Sequence, residues 1–140
     1  MAFTGNWTCN TFKTGLMNGT FNFTSGSFYL ALYTNSATLN EDTTAYTATG
    51  EASGGNYVAG GNLLTIAQVP TVGNGDTAFI SFNNTSWTGA ITARGALIYL
   101  SGGGNPAVCV LDFGADKTST ATFTVQFPAV TNTSAIIRIS

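Results

Sequence analysis

The chain is cut into short pieces by recurrent clusters of Gly, Ser, Asn and Thr, and this segmentation limits what it can become. Runs of five to ten residues between turn signals are strand-sized, and only one stretch is patterned for a helix. The clearest strand spans residues 120–127. There Ala121, Phe123, Val125 and Phe127 alternate with Thr120, Thr122, Thr124 and Gln126. A period of two puts the apolar set on one sheet face and the polar set on the other. Pro128 has no N–H to donate and ends the ladder.

Phe28 to Tyr33 is apolar on both faces, as in a strand covered on two sides. Ile91 to Leu100 and Ala107 to Phe113 are apolar runs separated by Ser101-Gly102-Gly103-Gly104-Asn105, which predicts a hairpin. Further strands are expected at Tyr57–Ala59, Leu63–Val69, Thr77–Phe82 and Ala135–Ile139. The turns between them fall at Gly60-Gly61, at residues 73–76 and at Asn83-Asn84-Thr85-Ser86. Residues 11–19 place Phe12 four positions before Leu16 and end at Gly19, the pattern of a two-turn helix with a glycine stop. Residues 35–53 are polar, hold Glu41, Asp42 and Glu51, and read as a long surface loop with room for a short strand near Tyr46. Roughly eight short strands and one N-terminal helix predict an all-β fold. The expectation is a single antiparallel β-sandwich or barrel-like domain over residues 1–140.

Charge narrows the function. Only 7% of the 140 residues are Asp, Glu, Lys or Arg, against about 25% in an ordinary soluble domain. The surface must therefore be built from Thr, Asn, Ser and Gly, which repel neighbours weakly and favour association. The four cations, Lys13, Arg94, Lys117 and Arg138, are scattered, which argues against nucleic acid as a partner. No apolar run approaches the ~20 residues of a membrane helix, and Met-Ala-Phe-Thr-Gly does not read as a signal peptide. Without secretion, Cys9 and Cys109 are expected as free thiols, and the Asn-x-Ser/Thr triplets at Asn6, Asn18, Asn22, Asn83, Asn84 and Asn132 as unglycosylated.

No catalytic, cofactor or metal residues are expected. The chain has no histidine, so the commonest general base and metal ligand is missing. The two cysteines form no Cys-x-x-Cys pair, and no EF-hand spacing of carboxylates occurs, although an oxygen-only calcium site in the loops stays open. Asp112 and Asp116, or Glu41 and Asp42, are the available carboxylate pairs. Residues 112–117 read more simply as a turn in which Asp side chains cap backbone amides. Arg94, inside an apolar run, either anchors an interface or pairs within its own domain, with Glu51 or Asp112 as partner. Trp7, Trp87 and the five tyrosines are either core and interface volume or a stacking platform for sugars.

Several stretches resemble a group of small virion structural proteins of tailed phages. Residues 10–19 are similar to their opening helix, and Ala31-Leu32-Tyr33-Thr34 to an "ALYT" strand. Gly55-Asn56-Tyr57-Val58-Ala59-Gly60-Gly61 resembles a "GYTAGG" motif. Residues 91–99, 107–114 and 123–128 then resemble the closing hairpin and final strand, so the likeness runs in order along nearly the whole chain. It implies a virion component with no catalytic residues to transfer, and leaves capsid, tail and fibre roles open. A tail-tube subunit needs long arms, for which only residues 35–53 could serve, and a fibre needs repeats or heptads, which are absent. The expectation is thus a non-enzymatic capsid decoration (cement) protein on the virion surface, assembled in the host cytoplasm. Its expected partners are the major capsid protein and its own copies in a dimer or trimer. Multivalency over the lattice would supply affinity without charge steering. The rival is a glycan-binding module of the virion.

Overall fold

In the computed structural model, which describes residues 3–140, the chain opens with β1 (Trp7–Thr8), helix α1 (Asn10–Asn18) and β2 (Phe28–Tyr33). Next come β3 (Asn62–Leu63), β4 (Ile66–Val72), β5 (Ala78–Phe82) and β6 (Thr85–Thr88). β7 (Thr92–Leu100), β8 (Ala107–Thr118), β9 (Thr122–Val125) and β10 (Ile137–Ile139) complete the chain. The strands form a five-stranded sheet in the order β1-β8-β7-β2-β3, a three-stranded sheet β10-β5-β4 and a ribbon β6-β9, all antiparallel. The fold is all-β and sandwich-like with one short helix, as the segmentation predicts.

The central strands are buried on both sides. Every residue of β2 except Tyr29 is buried, as are Ala93 to Tyr99 of β7. Because neighbours along a strand point to opposite faces, the aromatic residues of β2 start two different clusters. Phe28 stacks on Phe23 at 4.5 Å and lies 6.1 Å from Phe82 of the three-stranded sheet. Phe12 of α1 meets Phe21 and Phe23 edge-on at 5.0 and 5.8 Å, so the helix packs on this phenylalanine side. Tyr29, on the opposite face, stacks on its cross-strand partner Tyr99 at 5.9 Å, and Tyr99 stacks on Tyr46 at 4.9 Å. One face of the main sheet thus carries a phenylalanine cluster, the other a tyrosine cluster with hydroxyls.

The helix forms where the sequence places it, with Phe12 buried and Gly19 (φ 82°) as its left-handed stop. The 28–33 strand and the 91–113 hairpin also appear, and Phe123 and Val125 point inward while Thr122 and Thr124 stay exposed. The ladder at 120–127 is shorter than its alternation suggests, and Ala121 is exposed. Other expectations need correction. Tyr57–Ala59 is a turn, because its backbone folds over the sheet and its tyrosine hydroxyl accepts from Leu32 N–H at 2.9 Å. The 63–69 strand divides into β3 and β4, which join different sheets. Thr85 and Ser86 lie in a strand, since β9 supplies them with cross-strand partners. Residues 112–117 lie inside β8. There Phe113 to Asp116 stand opposite the single residue Arg94, between the pairs Gly95↔Asp112 and Ala93↔Lys117. The turn-like excursion is a bulge within a strand, and Asp112 does cap it by accepting from Gly114 N–H at 2.8 Å.

Gly15 makes α1 a test of packing against propensity. In an exposed helix Gly→Ala stabilises by roughly 0.5–1 kcal/mol. Here a Cβ at position 15 would fall 2.2 Å from the ring of Phe21, which is itself buried against Phe12. Gly15→Ala should therefore destabilise the chain, by about 1–3 kcal/mol. A denaturant midpoint higher than that of the parent chain would refute this packing argument.

Candidate functional site

The most constructed polar feature lies on the tyrosine side of the main sheet. Glu51 bridges to Tyr33 at the end of β2, which brings the 35–53 segment back to the sheet. Its carboxylate accepts from Tyr46 OH at 2.7 Å, Tyr57 OH at 2.5 Å and Gly60 N–H at 2.7 Å. Tyr99 OH donates to Gly60 C=O at 2.7 Å and Tyr33 OH to Thr47 C=O at 2.6 Å. One carboxylate thus ties the 35–53 segment and the 54–61 turn to the same sheet face, with bonds to a charged acceptor contributing roughly 1.5–3 kcal/mol each. The segment is no simple surface loop, because its own Ala37, Leu39 and Ala52 are buried. Burial is the main cause that raises the hydroxyl pKa of Tyr33, Tyr46 and Tyr57, and donation to Glu51 adds to it at Tyr46 and Tyr57. Burial also pushes Tyr99 up to about 12. These hydroxyls are held as donors, the wrong state for general bases.

Arg94 pairs within its own chain. Its Nε lies 3.0 Å from Asp112 Oδ1, and both side chains are about nine-tenths covered. The partner is Asp112; Glu51, the other candidate, is occupied by the tyrosines. The hydrogen bond from Arg94 holds the Asp112 carboxyl below the ordinary range, helped by Gly114 N–H. Asn6 Oδ1 accepts from Asp112 N–H at 2.7 Å, which pins the N-terminal segment to the same bulge. In each of the two available carboxylate pairs one member is engaged elsewhere. Asp42 accepts from the Asn10 side chain at 3.0 Å, while Asp112 faces Arg94. Among the described residues, no three His, Cys, Asp or Glu side chains come together as a metal ion would need.

Cys9 and Cys109 are both buried and free. Burial pushes the Cys9 thiol up to about 11 and raises Cys109 further, so both stay protonated and unreactive near neutrality. Trp87 is 2% exposed against Tyr57, Trp7 Nε1 donates to Thr4, and the hydroxyls of Tyr46 and Tyr99 are already engaged. Two asparagines of the Asn-x-Ser/Thr triplets serve as local caps. Asn18 and Asn22 accept from the backbone N–H of Thr20 and Thr24 at 3.0 and 2.9 Å.

What remains is a surface. Between Glu51 and Arg94 the sole charged residue is Asp76, and this stretch supplies β3, β4, β5 and β6. On it Val58, Leu63, Val69 and Val72 are 70%, 53%, 52% and 65% exposed. Sheet edges in soluble proteins are commonly guarded by charge, above all lysine. The β3 and β4 edges are guarded by geometry instead. β3 has two residues, and β4 carries Pro70 and two register shifts against β5. Open-ended strand addition is discouraged, while the apolar side chains stay available. The nearly uncharged interval was readable in the sequence, but that it would supply the edge strands β3 and β4 was not. No helix among the described residues is long and apolar enough to cross a membrane. Comparison with family models, curated proteins and solved structures finds no match.

Two pH responses follow. Below its ordinary value of about 3.9, an unfolded Asp binds a proton that folded Asp112 still resists. The stability this pair contributes is present above that value and is lost as pH falls through the folded one. Asp112→Asn should flatten the acid limb of a stability-against-pH curve measured by urea denaturation, and an unchanged limb would contradict the assignment. At the other end, unfolded tyrosines ionise near pH 10 while the buried ones hold their protons. Stability should fall as pH rises above about 10, by up to about 1.4 kcal/mol per pH unit for each such tyrosine. The ultraviolet tyrosinate signal should appear together with loss of β circular dichroism; tyrosinate formation in full at pH 10 with the fold intact would exclude the cluster.

Proposed function

We propose that this chain is an architectural component of a tailed-phage particle, a cement protein that binds the major capsid lattice and its own copies. The observation that carries this reading is the stretch between Glu51 and Arg94, whose one charge is Asp76 and on which Val58, Leu63, Val69 and Val72 are exposed. Apolar side chains in a neutral setting gain free energy when covered, at about 25 cal/mol per Å² removed from water. Their Thr- and Asn-rich surroundings can hydrogen-bond a neighbour without the desolvation cost of buried charge. Blunted edges favour a closed, finite contact over runaway strand pairing. The order of motifs similar to small phage virion proteins supplies the biological setting. An apolar groove between α1 and the three-stranded sheet, lined in part by Leu16, Pro70, Phe79 and Ile139, offers further surface of the same character.

The ionisable groups are put to structural use, consistent with a scaffold. Glu51 ties down the long segment, Arg94 and Asp112 close the β7–β8 bulge, and Asp42 holds Asn10 at the start of α1.

The test has two arms. Cryo-electron microscopy of particles containing the protein should place it at lattice positions on the capsid, in lattice-matched copy number; density only at the tail tip would overturn the capsid assignment. In the second arm, V69K/V72K alters two exposed positions and should keep its β circular dichroism. Its self-association by sedimentation velocity, and its cosedimentation with capsids stripped of the protein, should weaken at least about tenfold, because unpaired charge would be buried. Undiminished binding by this variant would remove the β4 face from the interface.

A further inference from the structure

The chain contains two Asn-Gly pairs, Asn18-Gly19 and Asn74-Gly75. Such pairs are prone to an intramolecular reaction, since glycine offers little steric hindrance to attack by its own amide nitrogen on the preceding carboxamide. The reaction needs a free Gly N–H and a carboxamide able to swing over it. Fold decides which pair satisfies both conditions.

At Asn18 neither is met. Gly19 N–H donates to Gly15 C=O in the helix stop, and Asn18 Oδ1 accepts from both the backbone N–H and the hydroxyl of Thr20, at 3.0 and 2.5 Å. At Asn74 both are met. Asn74 is exposed at the tip of the β4–β5 hairpin, where Gly73 N–H to Thr77 C=O closes the turn at 2.9 Å. Among the described residues no hydrogen bond engages the Asn74 carboxamide or the Gly75 N–H. Gly75 has φ +77° and open space around it, so the tip can reorganise without a clash. The Asn74 C=O is held by the Asn132 side chain, which anchors the backbone but leaves the carboxamide free.

We propose that Asn74 is a self-modification site, converted without an enzyme to aspartate and isoaspartate. The Gly75 nitrogen gives up its proton to solvent base and bonds to Asn74 Cγ, and the carboxamide nitrogen leaves as ammonia. Water then opens the resulting succinimide at either carbonyl. Opening at one regenerates the normal backbone with an aspartate; opening at the other routes the main chain through Cβ and adds a methylene to the hairpin tip. No oxidant or cofactor is required, and only water is consumed. Either product adds a carboxylate two residues from Asp76, the one charge on the otherwise neutral β3–β6 stretch. The site is thus a slow, one-way conversion of the most neutral part of the surface to a more acidic one.

Peptide mapping of the intact folded protein, aged in mildly alkaline buffer, tests this. The Asn74 peptide should gain the mass of an amide-to-acid exchange and become a substrate for isoaspartyl methylation. It should do so at least about tenfold faster than the Asn18 peptide, the difference being the hydrogen bonds that must open at Asn18. In concentrated urea, where both pairs are released, the two rates should converge. Equal rates in the folded chain would overturn the proposal, as would faster loss at Asn18, or an Asn74 that converts in urea but not when folded.

Discussion

Burial of β7 on both faces is the constraint from which the rest of the architecture follows. Seven consecutive residues of this strand are buried, so the sheet that contains it must be covered twice. With only one short helix among the described residues, the chain cannot provide two helical layers. It covers one face with the three-stranded sheet and α1, joined through Phe12, Phe23, Phe28 and Phe82. It covers the other with irregular chain, and irregular chain brings backbone amides and carbonyls that have to be satisfied. That need explains the tyrosines and Glu51. Their rings fill volume over the sheet, while their hydroxyls and the carboxylate bond one another and the backbone of the covering segment.

The same economy appears in the charges. In a chain with ten ionic side chains, several are committed to holding the fold in place. Arg94 would be an unpaired cation in an apolar strand without Asp112, and Asp112 would lose the group that, with Gly114 N–H, favours its ionised state. The bulge is what lets them meet. It carries four residues of β8 past one residue of β7, and Gly114, at φ +84°, takes the left-handed conformation that this detour needs. Between Glu51 and Arg94 the one charge is Asp76, so the stretch that supplies β3 to β6 is nearly neutral. Its edges are then protected by shortness, proline and irregular register, so the chain can associate through side chains while resisting open-ended strand pairing.

Legibility differed from element to element for physical reasons. β2, the β7–β8 hairpin and α1 could be read because each carries its own signal: a two-sided apolar run, a glycine loop between apolar runs, or an i,i+4 pair with a glycine stop. β6 could not, since Thr85 and Ser86 look like turn residues until β9 pairs with them. Tyr57–Ala59 looked like strand because β-propensity is mostly a preference for packed surface, and Tyr57 is packed without lying in a strand. The Arg94–Asp112 pair could be narrowed to two acids and no further. Choosing between Asp112 and Glu51 depends on which strand lies beside β7.

By itself the sequence determined that this would be an all-β chain of short strands with one short helix, weakly charged and lacking imidazole chemistry. These are properties of residue type and local period, which no tertiary contact can change. Only the tertiary structure decided that Glu51 would gather two tyrosines and a glycine amide, that Asp112 would face Arg94, and that the nearly uncharged stretch would supply the edge strands β3 and β4. It also gave the two Asn-Gly pairs different fates, one locked in a helix stop and one open at a hairpin tip. Each of these depends on residues far apart in the chain, or on backbone conformations that packing selects, and local pattern carries no information about either.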